Sequence, residues 1–144
     1  MTFRKILVAI DDTALAIHAA KTGISLARAL GAEIAPIHVV SIPVAHGRGA
    51  GIPESEAAAL FQRESLELVR DLRARLQLGD SVEGFMELGD PAEEIVKAAA
   101  AWPADLVVIG SHSRSSLGRV LLGSVSEAVV RNSPCPVLLV RAHE

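Results

Sequence analysis

Residues 106–124 read LVVIGSHSRSSLGRVLLGS. Leu106 to Ile109 form a continuous apolar run, the pattern of a strand buried on both faces of a sheet. Gly110 stands where such a strand leaves the sheet, and without a Cβ it lets a ligand approach the backbone. A small, polar stretch follows, with serines at 111, 113, 115 and 116, His112, and the cations Arg114 and Arg119. Gly123-Ser124 then leads into a helix over about 124–132. Ser124 and Glu127 have the spacing of a capping box, which makes Ser124 the expected N-cap. Free amides and the helix dipole at that point favour an anion. The segment therefore reads as a phosphate cradle to which Arg114 and Arg119 add contacts. A plain strand-to-helix loop has the same composition, and the residues alone leave that reading open. It is not a Walker A loop, because no Gly-Lys-Ser/Thr occurs in the chain.

The rest of the chain repeats the strand-helix alternation. Ile6 to Ile10 (ILVAI) is a second continuous apolar run. Residues 13–30 carry a helical stripe at Ile17, Ala20, Ile24 and Ala27, ended by Gly31. Ile34 to Val40 reads as a strand. Residues 54–78 form an amphipathic helix with Phe61, Leu68, Leu72 and Leu76 on one stripe and Gly79 closing it. Val82 to Leu88 is a weaker strand, and Asp90-Pro91 supplies an N-cap and a first helical residue ahead of Ile95 and Ala99. The last strand is Val137 to Val140. The order predicts an α/β fold, a parallel sheet with helices on both faces. The two most apolar strands, first and fourth, are the expected central pair flanking a ligand crevice at their carboxyl ends.

A chain of 144 residues fits one domain, 1–144, and its 50% hydrophobic content fills a core. With aromatics at 3% there are few rings on which to stack bases. A net charge of −3 gives no footprint for duplex nucleic acid. Cys135 alone cannot make an internal disulfide, which suits a reducing cytosol. No segment approaches the ~20 apolar residues of a membrane span, and no signal peptide is evident, so a cytoplasmic location is expected.

Gly110, nine residues from Arg114 to Leu122, and Gly123-Ser124 follow the pattern G-x-x-G, nine residues, G-[ST]. In this the chain resembles a universal stress protein domain of the nucleotide-binding kind. An aspartate ending the first strand (Asp11, in ILVAIDDT), HVV ending the second (His38 to Val40) and PCPVLLVR at the last extend the resemblance over essentially the whole chain. It implies a Rossmann-like five-stranded sheet in the order 3-2-1-4-5. Asp11 and the backbone around Val39 would face base and ribose, with Ala9 and Ile109 lining the pocket. Gly110, Ser113, Gly123, Ser124 and Val125 would hold ribose and phosphates. The implied ligand is ATP, with or without Mg²⁺ at the phosphates. One position departs from the pattern: Ser113 stands where the family has its second glycine. If a left-handed backbone were needed there, serine would cost about 1–2 kcal/mol. The resemblance also implies a homodimer formed through the last strand, residues 137–140.

Other residues carry plainer readings. Asp11 and Asp12 could form a metal or general-base pair or simply begin the first helix, where acidic side chains suit the dipole; of the two, Asp11, at its strand end, is the one expected at the ligand. The five histidines show no metal-ligand spacing, and His112 reads as a solvated loop residue. No G-x-S-x-G makes one of the loop serines a nucleophile; phosphorylation of one of them is the more credible fate. Cys135, between two prolines, is a small buried residue, and 41–53, with GRGAG at 47–51, a flexible lid. The expected function is ATP binding by a stress-response regulatory module with no catalytic residue assigned. The alternatives are a nucleotide-free family member and, from another class, a slow ATPase or phosphotransfer enzyme.

Overall fold

In the computed structural model, residues 2–10, 14–40, 54–79, 82, 84–111, 113–114, 120–121 and 123–141 are described. The elements are β1 (Lys5–Ala9), α1 (Ala14–Leu30), β2 (Glu33–Val40), α2 (Glu54–Leu76), β3 (Phe85–Leu88), α3 (Pro91–Ala101), β4 (Leu106–Ser111), β5 (Ser113–Arg114), β6 (Val120–Leu121), α4 (Ser124–Asn132) and β7 (Val137–Arg141). Five strands form one parallel sheet in the order β3-β2-β1-β4-β7, which is the expected 3-2-1-4-5 when the short β5 and β6 are set aside.

The two continuous apolar runs are interleaved period-2 stripes, each feeding a separate core. Ile6, Val8, Leu106 and Val108 pack beneath Ile17, Ala20 and Ile24 of α1 and Leu72 and Leu76 of α2. Leu7, Ala9, Val107 and Ile109 pack on the other face against Ile95 and Ala99 of α3, Trp102 and Val129 of α4. Helix α1 comes closest to the sheet at Gly23, where an added Cβ would lie 2.9 Å from Val8 Cγ2 and 3.4 Å from Val108 Cβ. Only a glycine lets a helix settle that deeply on the β1–β4 seam.

Most boundaries shift by a residue or two from the sequence expectation, and three of the differences have an evident local reason. Helix α2 is closed by Gln77, at φ 54, rather than by Gly79. Leu78 N–H donates to the Arg73 carbonyl and Gln77 N–H to that of Ala74, the paired bonds of a Schellman turn. Strand β3 starts at Phe85 instead of Val82, because the Arg73 guanidinium holds the Gly79 and Val82 carbonyls, each at 2.8 Å. At α4 the N-cap is Gly123, not Ser124, and no side chain caps the helix. Glu127 does not reach back as a capping box requires; its carboxylate takes Arg131 at 2.8 Å. Elsewhere the caps are as read: Asp90 accepts from Glu93 N–H at 3.0 Å, and Gly31 closes α1 at φ +65. Segment 41–53 lies outside the described residues. Among the described residues, no helix is long and apolar enough to cross a membrane.

Candidate functional site

The sheet forks between its two central strands. Rungs between β1 and β4 run from Ile6↔Leu106 to Val8↔Val108 and then end. Strand β1 continues beside β2 to Ala9↔Ile37, while β4 continues beside β7 to Ser111↔Arg141. Helix α1 packs on one face of the sheet and α4 on the other, and a crevice opens at the carboxyl ends of the two strands.

A cleft of about 170 Å³ occupies this fork. Ala9 and Ile109 face it from the strand ends, Val39 from β2, Ile95 from α3, Gly110 from the end of β4 and Val125 from the start of α4. Its walls are mostly apolar, as suits a flat hydrophobic ring. One side ends at the start of α4. Gly123 has φ −66 and ψ 160, and the first helical bond runs from Glu127 N–H to the Gly123 carbonyl at 2.9 Å. The amides of Ser124, Val125 and Ser126 therefore form an N-terminal turn without a side-chain cap, the arrangement that accepts an anion.

Of the residues singled out from the sequence, Ala9, Val39, Ile109, Gly110 and Val125 share the walls of this one cleft. Gly123 and Ser124 form the helix start beside it, with Ser124 as first helical residue. Ser113 and Arg114 form β5, paired antiparallel with β6 through Ser113↔Leu121 and Arg114↔Val120. The polar loop thus contains a short ribbon that its composition did not announce. Ser113 is paired as a strand residue, an extended conformation rather than the left-handed one for which the penalty was considered. Asp11, Asp12, His112, Ser115, Ser116 and Arg119 lie outside the described residues.

Two residues next to the cleft were not singled out as site residues from the sequence: Ser126, which lines it, and His38, whose side chain lies on the α2 side of the sheet. Ser126 is 2% exposed, and its hydroxyl donates to the Gly110 carbonyl at 2.9 Å. The available signal was its spacing: Ser126 and Val129, three apart, share the buried face of α4. His38 places Nδ1 2.9 Å from the Ile10 carbonyl. Cys135 is half-buried rather than enclosed, in a tight turn where the Ser133 hydroxyl donates to its carbonyl at 2.7 Å. Among the described residues, no three His, Cys, Asp or Glu side chains converge as metal ligands would.

The profile of the universal stress protein family matches residues 2–141. A universal stress protein of Methanocaldococcus jannaschii is 34% identical over 140 residues, a match covering 96% of this chain and 82% of its own. Among solved structures, that of hypothetical protein MJ0577 from the same organism has a TM-score of 0.81 at 28% identity, over 100% of this chain and 99% of its own. A universal stress protein solved in complex with cAMP shares the fold, with a TM-score of 0.69 at 22% identity over 97% and 98% of the two chains. A family profile that spans nearly the whole chain, together with a five-stranded sheet in the order described, settles the kinship: the chain belongs to the universal stress protein family.

Proposed function

We propose that the fork between β1 and β4 binds an adenine nucleotide, ATP with or without Mg²⁺, and that the protein serves as a stress-response regulatory module. Val125 is the observation that carries this reading. Its side chain lines the apolar cleft, and its amide belongs to the uncapped first turn of α4. An apolar ring surface and an anion site thus meet at one residue, which is what a nucleoside phosphate needs. The base would lie among Ala9, Val39 and Ile109, with phosphates directed toward Gly123 and Ser124. The cAMP held by one universal stress protein of the same fold belongs to the same ligand class. Mg²⁺ keeps most of its waters and takes few protein ligands, so it would ride on the phosphates. Positioning of phosphates supports at most slow hydrolysis in this reading.

Calorimetric titration of the purified protein with ATP, with and without Mg²⁺, tests the reading. Binding in the micromolar range is expected. No heat up to millimolar ATP, from a folded protein that carries no nucleotide through purification, would instead favour the nucleotide-free reading.

We also propose a homodimer through β7, an edge strand whose outer side needs a partner. Val107 N–H donates to the Pro136 carbonyl, so Leu138 and Val140 also turn their peptide groups toward β4, and Val137, Leu139 and Arg141 turn theirs outward. Leu139→Pro therefore removes an outward N–H without touching the β4–β7 ladder. Sedimentation equilibrium is expected to show a dimer for wild type and a monomer for Leu139→Pro. A variant that stays dimeric would place the interface elsewhere.

A further inference from the structure

We propose that His38 and Ser126 are positioning residues that set the two ends of the ligand separately, His38 the base end and Ser126 the phosphate end. The inference rests on the nucleotide reading above and deepens it.

In a strand the N–H and C=O of one residue point to the same side, and the next residue points to the other. Ile10 N–H donates to the Ile37 carbonyl at 2.8 Å, so the polar groups of Ile10 face β2. A parallel ladder continued by one rung would bring Val39 N–H onto the Ile10 carbonyl. The rungs stop at Ala9↔Ile37, and Nδ1 of His38 takes that carbonyl at 2.9 Å. A carbonyl only accepts, so Nδ1 is the protonated nitrogen. The imidazole thus releases the Val39 peptide from the ladder at the point where Val39 forms the cleft wall.

On the other strand, Val107 faces β7 through its bond to Pro136, so Gly110, three residues on, turns its carbonyl toward β1 and into the fork. A carbonyl oxygen aimed at an anion site repels phosphate. The buried hydroxyl of Ser126 engages it at 2.9 Å, and the same bond joins β4 to the third residue of α4. Ser126 therefore both quenches an unfavourable dipole and holds the helix start in place. The two carbonyls lie at the same level of the sheet, two residues beyond the last β1–β4 rung at Val8↔Val108.

Competition calorimetry against bound ATP, with adenosine and with tripolyphosphate at up to millimolar concentration, tests the division. His38→Leu is expected to weaken ATP and adenosine about tenfold and leave tripolyphosphate unchanged. His38→Asn is nearly the same size as Leu and keeps a donor the same number of bonds from Cα, and it should restore adenosine. Ser126→Ala is expected to weaken ATP and tripolyphosphate about tenfold and leave adenosine unchanged, with Ser126→Thr restoring the loss. Should Leu or Ala fail to fold, His38→Gln and Ser126→Cys move or weaken the donor without emptying its space and carry the same readout. Equal losses for both fragments in either variant, or wild-type affinities throughout, overturn the inference. So does a wild type that binds ATP but yields it to neither fragment. A wild type that binds no ATP overturns the nucleotide reading itself, which is a separate failure.

Discussion

A Gly123→Asp protein should melt above the wild type and lose ATP at the same time. Gly123 is the N-cap of α4 in a β-region conformation open to any residue, so aspartate fits without strain. Its carboxylate can accept from the amides of the first turn and lies favourably at the positive end of the dipole. Together these effects are worth about 0.5–1 kcal/mol, or roughly 2–4 °C in melting temperature for a chain of this size. The same carboxylate occupies the amides offered to phosphate and repels it. Like charges set against each other in an interface cost several kcal/mol, so ATP should weaken by about a hundredfold or more. Scanning calorimetry and ATP titration read the two effects separately, and Gly123→Asn supplies the cap without the charge. ATP held at wild-type affinity by Gly123→Asp would remove the α4 start from the site. A lower melting temperature would contradict the cap assignment.

The largest loss of stability should come from Leu7→Ala. Leu7 is 0% exposed, in the middle of β1, and packs on the α3 and α4 side of the sheet. Truncating an enclosed leucine loses transfer energy and leaves a cavity that strands paired on both sides cannot close. The expected cost is about 3–5 kcal/mol, a large part of the ~5–15 kcal/mol that holds a domain folded. Urea unfolding should show a lower midpoint at unchanged slope. Leu66→Ala on α2, where the side chain is 61% exposed, is the control and should stay within about 0.5 kcal/mol. A Leu7→Ala midpoint equal to that of the control would mean that β1 is not packed as described.

The central pair of strands and the fork between them were legible in the sequence because their signal is strong and local, whereas the full order of the sheet came from the family resemblance. The runs at Ile6–Ile10 and Leu106–Ile109 have no polar residue, and a strand of that kind has to be covered on both faces. What could not be read is which of several available partners a group takes, near or far along the chain. The Ser124–Glu127 spacing is a true capping pattern, yet Glu127 has Arg131 one turn away and pairs with it instead. Gly79 looks like a helix stop, but the helix turns at Gln77 and the Gly79 carbonyl goes to Arg73. The bond from Ser126 to Gly110 spans 16 residues, and that from His38 to Ile10 spans 28. Neither partner has a spacing that names the other. The ribbon of β5 and β6 pairs residues whose polar, glycine-containing surroundings carry no strand periodicity. Composition and period therefore located the cleft, whereas the hydrogen bonds that shape its rim belong to the folded chain alone.

Gly23 gives the fork a fixed depth. The helix rests on the side chains of Val8 and Val108, the residues of the last rung that joins β1 to β4. Below that level the two strands are clamped from above as well as bonded edge to edge, and the close-packed interior has little slack for them to separate further. The floor of the crevice is a stop set by how closely a helix can sit on a sheet, whatever ligand arrives. A longer ligand gains length only outward, past Gly110 and Gly123, and a shorter one leaves the rim empty before it leaves the floor.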